Sequence, residues 1–188
     1  VFVPNVLNTM AGFRQLGEER TAGFFSEVLR VILSRTEGRV FMLPQLFCAG
    51  DKGDETFFRR IAGAVADGRV TVLGEDCSSD LQQSLVAGAD CVVGARYHSV
   101  VFAINSGRPF VAFSYEHKIS GLLRILGLED RMIDLQAGVF DSPESEKAAL
   151  AAFGEKLAAL SPCSREPAAE KVREGFSKLI KFLTDEKL

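Results

Sequence analysis

Apolar and polar positions follow one another along the chain in a way that predicts strands and helices in turn. Short apolar runs rich in β-branched and aromatic residues predict six strands, at residues 1–6, 39–43, 70–73, 91–94, 109–113 and 131–135. Between these runs, apolar residues recur every three or four positions, which is typical of helices with one buried face. Continuous apolar strands that alternate with helices predict a parallel sheet covered on both faces. The predicted fold is therefore α/β, a single Rossmann-like, doubly wound domain over residues 1–188.

Local signals predict where several helices begin and end. The segment "SDLQ" at residues 79–82 has the pattern of a capping box, and Gly88 lies where that helix should stop. Gly127 is a candidate C-cap for the helix after the fifth strand, and Ser142-Pro143 begins another helix. A last helix carries one apolar face, formed by Val172, Phe176, Leu179, Ile180 and Leu183.

Composition excludes several classes of function. The formal net charge of −3 argues against a nucleic acid as the main partner, because nucleic-acid binders usually carry a basic surplus. No apolar run approaches the ~20 residues that span a bilayer. The four cysteines are widely spaced, so we expect reduced thiols rather than disulfides or a zinc site. The chain opens on "VFVPNVL" without a methionine, and we expect it to be the C-terminal part of a longer protein.

The loops after the fourth and fifth strands carry the residues with the most chemistry. Ligands of doubly wound sheets bind beyond the carboxyl ends of the strands. After the fourth strand the chain reads Gly94-Ala95-Arg96-Tyr97-His98-Ser99 and then enters a helix, whose first N–H groups favour an anion. Arg96 suits a carboxylate or phosphate, and His98 can exchange a proton near neutral pH. The ordinary alternative is that Arg96 pairs with a surface carboxylate and His98 caps the helix.

The fifth strand ends in Ser114-Tyr115-Glu116-His117-Lys118, again at the start of a helix. If the two strands are neighbours, Lys118 lies at the same pocket as Arg96, and an anionic ligand would offset the unfavourable position of a cation at a helix N-terminus. The alternative for Lys118 is a solvated surface position. Glu116 would either hold Lys118 or His98 in place or simply favour the helix start, and we expect His117 to face solvent.

Four other polar residues lie in loops at the predicted ligand-binding edge. Asp51 and Asp54, in "CAGDKGDE", follow the second strand, and we expect them to cap the next helix, although Asp51 could instead face the cleft. Arg14 and Arg20 follow the first strand and are candidates for a further anion contact. A G-x-G-x-x-G segment is absent after the first strand, which disfavours a nucleotide-binding dehydrogenase.

The segment "VVGARYHSVVFAINSGRPFVAFSYEHK" resembles the C-terminal signature of the polysaccharide pyruvyl transferase family. That signature has an Arg-x-His-Ser segment, an apolar helix, a Gly-x-Pro before a strand, and then Ser-Tyr-(Glu/Asp)-x-Lys. The positions that match are Arg96, His98, Ser99, Gly107, Pro109, Ser114, Tyr115, Glu116 and Lys118. The specific resemblance covers about residues 90–135.

The resemblance implies a two-domain fold similar to GT-B glycosyltransferases, with this chain as the C-terminal half and the N-terminal half absent. It implies transfer of the pyruvyl group from phosphoenolpyruvate to two hydroxyls of a sugar, as a ketal, in a cell-wall polymer or exopolysaccharide. His98 would be the catalytic acid or base, and substrate would be bound by Arg96, Ser99, Tyr115, Glu116 and Lys118. No metal and no cofactor beyond the phosphoenolpyruvate donor would be needed.

The resemblance also implies partners and a location. The acceptor is a saccharide, and a lipid-linked acceptor would bring an otherwise cytoplasmic protein to the inner face of the membrane. A further arginine would come from the N-terminal half, so we expect the fragment alone to be inactive. Two alternatives stay open, a GT-B sugar-nucleotide glycosyltransferase and a non-catalytic anion-binding module.

Overall fold

The computed structural model describes residues 1–7, 11–47, 53–74, 77–136 and 138–185. Its strands are β1 (Phe2–Val3), β2 (Val40–Met42), β3 (Val70–Val72), β4 (Val92–Gly94), β5 (Phe110–Ser114) and β6 (Met132–Asp134). Its helices are α1 (Glu18–Leu33), α2 (Asp54–Val65), α3 (Ser79–Ala87), α4 (Tyr97–Asn105), α5 (His117–Leu126), α6 (Pro143–Ala158) and α7 (Glu166–Asp185). All six predicted strands are confirmed; β5 is shifted by one residue from its apolar run, and the other five are shorter than theirs.

The strands form one parallel sheet in the order β3-β2-β1-β4-β5-β6. Phe2 of β1 lies opposite Met42 on one side and Val93 on the other. Strands β2 and β3 lie on one side of β1, and β4, β5 and β6 lie on the other side. This is the order of a doubly wound Rossmann sheet. The α/β prediction is thus confirmed. Because the order reverses between β1 and β4, the carboxyl ends of these two strands form the switch point at which ligands of doubly wound sheets usually bind.

Helices cover both faces of the sheet. On one face α1 packs against α2 and α6, and on the other α4 packs against α3 and α5. The α1 face is filled by aromatic rings, since Phe25 contacts the rings of Phe2, Phe24, Phe57 and Phe113. The helices of the opposite face bury aliphatic side chains, among them Val86, Val100, Ile119 and Leu123. The core therefore lies on both sides of the sheet, and the cluster of phenylalanine rings beneath α1, called the aromatic layer below, is its aromatic part.

The helix ends agree closely with the local signals. Gly127 ends α5 with a positive φ of +66°, a conformation that glycine adopts without strain, so its predicted role as C-cap is confirmed. The Ser142 hydroxyl accepts a hydrogen bond from Ser145 N (3.1 Å) at the start of α6. Helix α3 begins one residue earlier than the capping-box pattern suggests, because the Ser78 hydroxyl accepts from Leu81 N (3.4 Å).

The last helix, α7, has the predicted apolar face, but its described part is uncovered. Val172 is 68% exposed, Phe176 64% and Ile180 52%. The side chains of Leu179 and Leu183 lie outside what the structure describes. Helical periodicity identifies which side chains share a face, but it carries no information about what packs on that face. In the described ranges, no helix combines the length and the apolar character that crossing a membrane requires.

Candidate active site

The loops after β1, β4 and β5 meet at the carboxyl edge of the sheet. Val3 of β1 lies opposite Gly94 of β4, and Gly94 lies opposite Ala112 of β5. Just beyond the ladder, Ala95 N donates to Val3 O (2.7 Å). The loops after β4 and β5, which the sequence predicts to be neighbours, therefore stand side by side, with the β1 loop next to them at the switch point.

The turn from β4 into α4 is unusually tight. A Cβ on Gly94 would lie 2.3 Å from Ser99 Oγ, so the strand and the first turn of the helix approach this closely only because residue 94 is glycine. Ser99 is buried, and its hydroxyl donates to the carbonyl oxygen of Arg96 (2.6 Å). Ser99 thus fixes the backbone of Arg96, which is the N-cap residue of α4. A substrate contact by Ser99 stays a prediction.

Arg96 reaches across the edge of the sheet to a buried carboxylate. Its Nη2 donates to Asp54 Oδ1, and the two side chains are 19% and 1% exposed. The other carboxylate oxygen, Oδ2, accepts from the backbone N–H groups of Gln45 (2.9 Å) and Leu46 (3.0 Å). The expectation that Asp54 caps α2 is therefore wrong: the N-cap is Gly53, and Asp54 binds the preceding loop and Arg96. Asp51 lies outside the described residues.

Tyr115 connects the three loops. The residue is 5% exposed. Burial, assisted by the negative charge of Glu116, raises the pKa of its phenol to about 12, while the positive charge of Arg96 and the nearby side chain of Asn5 act in the opposite direction. Asn5 follows β1, Arg96 follows β4 and Tyr115 follows β5, so their interaction shows that the carboxyl-edge loops converge on one place.

The remaining predicted residues lie nearer to solvent. Glu116 is the N-cap residue of α5, and its carboxylate is 3.7 Å from Lys118 Nζ. Lys118 and His98 were the two partners expected for Glu116, and the structure pairs it with Lys118. Lys118 is 60% exposed. His98 is exposed on the first turn of α4, and its ring stacks on Phe102 with centroids 6.2 Å apart. His117 is exposed, as predicted.

The two arginines predicted after β1 behave differently. Arg20 forms an ion pair with Glu146 and donates to Phe140 O (2.8 Å), which ties the start of α1 to the α6 region. Arg14 is exposed. An anion contact by either residue stays a prediction. For Arg20, a bound anion would compete with Glu146 and Phe140 O for the guanidinium.

Sequence reasoning missed three polar residues at this edge. Asn5 is 1% exposed, and its Nδ2 has no hydrogen-bond partner within the described part of the chain. Gln45 Nε2 donates to Gln82 Oε1 (3.2 Å), and Gln82 Nε2 donates to Cys77 O (2.8 Å), which joins the β2 loop to the segment before α3. A signal for Asn5 was its position as the first polar residue of the chain, directly after Pro4. Gln45 and Gln82 are 37 residues apart, and no local sequence signal indicated their contact.

A cavity of about 880 Å³ lies at the opposite, amino edge of the sheet, lined among others by Arg39, Asp90 and Pro109, which precede β2, β4 and β5. Its size does not make it the better candidate, because ligands of such sheets bind at the carboxyl edge, where the loops converge. Among the described residues, no group of three His, Cys, Asp or Glu side chains could hold a metal ion.

The chain is thus an α/β protein with a Rossmann-like sheet, and an arginine, a histidine and a buried tyrosine form the candidate site at its carboxyl edge. The pattern that defines the polysaccharide pyruvyl transferase family matches residues 6–117, more than half of the chain. The chain belongs to this family, which is a family of transferases whose name implies a saccharide acceptor. The match contains Arg96, His98 and Glu116 and ends one residue before Lys118.

A curated relative agrees with this assignment. The amylovoran biosynthesis protein AmsJ of Erwinia amylovora is 42% identical over 53 residues, which are 28% of this chain and 13% of AmsJ. The similarity therefore covers a small part of that protein. No solved structure matches the chain.

Proposed function

We propose that this chain is the C-terminal half of an enzyme that transfers the pyruvyl group of phosphoenolpyruvate to a sugar of a cell-surface polysaccharide or its precursor. The product is a cyclic ketal, and inorganic phosphate is released. The observation that carries the proposal is the convergence of Arg96 and Tyr115 at the switch point, beside the start of α4 and inside the region of the family match.

The electrostatics of this edge support an anionic donor. Phosphoenolpyruvate carries a phosphate and a carboxylate, and a guanidinium binds either group through parallel N–H bonds. The first N–H groups of α4 have no intrahelical acceptor and favour negative charge. Lys118 adds a second, exposed cation at the start of α5. Asp54 neutralises part of the charge of Arg96, so the backbone N–H groups and Lys118 supply much of the remaining attraction.

Ketal formation also requires proton transfers. The methylene carbon of the enolpyruvyl group gains a proton, two sugar hydroxyls each lose one as they bond to C2, and the C2–O bond to phosphate breaks. His98 stands on the first turn of α4 and is the side chain of this edge best suited to exchange a proton near neutral pH. The imidazole is exposed in this domain, and an N-terminal half that faces the same edge would exclude water from it.

The proposal is tested by replacing His98 with alanine in the full-length protein. General acid–base catalysis is worth about 10²–10⁴-fold, so phosphoenolpyruvate-dependent ketal formation, followed by the NMR signal of the new methyl group, should fall by that factor. Thermal unfolding should change little, because His98 is exposed.

His117→Ala is the matched control, since His117 is the other histidine and is also exposed at a helix start. It should retain full turnover. Wild-type turnover in His98→Ala would contradict the catalytic role. If the wild type bound a sugar nucleotide saturably but did not bind phosphoenolpyruvate, the proposal would be wrong, and a glycosyltransferase would be the better assignment.

A further inference from the structure

We propose that Asp54 is a positioning residue that holds the guanidinium of Arg96 in place for an anionic substrate. The inference deepens the proposed function and rests on it to the extent that the anion is phosphoenolpyruvate. Asp54 itself is 1% exposed and does not reach solvent, so it acts through Arg96.

The carboxylate of Asp54 is itself fixed. Its Oδ2 accepts two backbone hydrogen bonds, from Gln45 and Leu46, at 2.9 and 3.0 Å. Its backbone N–H donates to Leu46 O (2.9 Å), so the residue is tied to the β2 loop from both ends. The other oxygen, Oδ1, accepts from Nη2 of Arg96. A buried carboxylate held in this way is a rigid anchor for a partner side chain.

Arg96 is held at two points as a result. Ser99 Oγ donates to its carbonyl oxygen (2.6 Å) and Asp54 binds its guanidinium, so both the backbone and the tip of a long, flexible side chain are fixed. Arginine has five N–H donors, and the contact with Oδ1 uses Nη2, which leaves other donors for a ligand. A guanidinium that is already ordered loses little entropy when it binds an anion.

The contact also joins two segments that are far apart along the chain. Asp54 begins α2 and Arg96 precedes α4, 42 residues later, so the pair connects the loop after β2 to the loop after β4. A second Asp–Arg pair, Asp67 with Arg69, is local by contrast: the residues are two positions apart, and the pair precedes β3 at the opposite edge. The second pair provides a matched control with the same chemistry and no access to the site.

The decisive variant is Asp54→Asn in the full-length protein. The asparagine oxygen can still accept from the loop N–H groups, but its NH₂ group cannot accept from Arg96, so the guanidinium is released. We expect the KM for phosphoenolpyruvate to rise about tenfold or more, the size expected for losing a hydrogen bond to a charged group, while the KM for the acceptor stays unchanged. A merely structural role would reduce the active fraction and hence kcat, and would leave both KM values unchanged.

Two further variants sharpen this test. Asp67→Asn should leave both KM values at the wild-type level. In an Arg96→Lys background, Asp54→Asn should have no further effect on the KM for phosphoenolpyruvate, because residues that act as a unit are not additive. Full additivity of the two changes, or an unchanged KM in Asp54→Asn, would overturn the positioning role.

A measurement that needs no turnover separates this inference from the proposed function. In NMR spectra of the guanidinium groups, assigned with Arg96→Lys, the Nη groups of Arg96 should rotate slowly in the wild type and freely in Asp54→Asn. Free rotation in the wild type overturns the inference even if the variant does not fold. If the wild type neither binds nor converts phosphoenolpyruvate, the proposed function fails, and the spectrum alone decides the role of Asp54.

Discussion

Burial keeps the Tyr115 hydroxyl protonated well above neutral pH. The folded chain raises its pKa from an ordinary value of 10.0 to about 12, first through burial and then through the charge of Glu116. At neutral pH Tyr115 is uncharged, as an ordinary tyrosine is, and the shift extends this neutral range to higher pH. A neutral phenol is compatible with the anionic donor that we propose for this edge.

A titration tests this environment directly. In Tyr97→Phe, which leaves Tyr115 as the one tyrosine of the two in the sequence, phenolate absorbance should appear with a midpoint near pH 12 in the folded protein and near 10 in urea. The fold thus favours the neutral form: this contribution to stability is complete below pH 10 and disappears as the pH rises through 12. Adding Glu116→Gln should lower the folded midpoint, and a folded midpoint near 10 in Tyr97→Phe itself would refute the account.

At the scale of elements, the junction of β4 and α4 depends on the absence of one side chain. In Gly94→Ala the new Cβ would lie 2.3 Å from Ser99 Oγ, which is held by its bond to Arg96 O, so the strand and the helix must separate. Overpacking of this kind costs about 1–3 kcal/mol of the free energy of unfolding, measured in urea.

Two companion variants isolate the cause at this junction. Gly121→Ala, on α5, places its Cβ where no atom lies within 4 Å and should be neutral or stabilising by up to about 1 kcal/mol. Ser99→Ala should partly restore the stability of Gly94→Ala, because it removes the clashing oxygen. Equal stability of Gly94→Ala and Gly121→Ala would show that the junction tolerates a side chain.

The elements also show what sequence reasoning can and cannot supply. The alternation of strands and helices followed from periodicity, and helix ends followed from residues such as Ser142 and Gly127, because these signals are local. The partner of Arg96 was not predictable, since Asp54 stands in a segment that reads as an ordinary helix start and meets Arg96 only when the sheet has formed. For α7, the pattern identified the apolar face but not its exposure. The residues of the site were located by the carboxyl-edge rule, whereas their contacts required the tertiary structure.

For the whole molecule, stability should depend most on the aromatic layer beneath α1. Phe25 is fully buried and contacts four other phenylalanine rings, with centroids 5.4 to 6.5 Å apart. Phe25→Ala should lower the free energy of unfolding by about 3–5 kcal/mol, because the neighbouring helices and strands cannot collapse into the space. Urea unfolding measures the loss.

Phe176→Ala is the matched control for this loss, since Phe176 lies on α7 and is 64% exposed. It should change the free energy of unfolding by about 0.5 kcal/mol or less. If the two alanine variants were equally destabilised, the aromatic layer would not be the main contributor to the free energy of unfolding.

The position of β1 in the centre of the sheet has a consequence for how the chain folds. Phe2 pairs with Met42 on one side, but its partner on the other side is Val93, which is made much later. Until then, one edge of an apolar strand has no ladder partner, and closing so long a loop is slow. Arg96 and the start of α4 follow β4 within three residues. During synthesis, the strand that closes the last exposed edge of β1 is therefore followed at once by Arg96 and the start of α4.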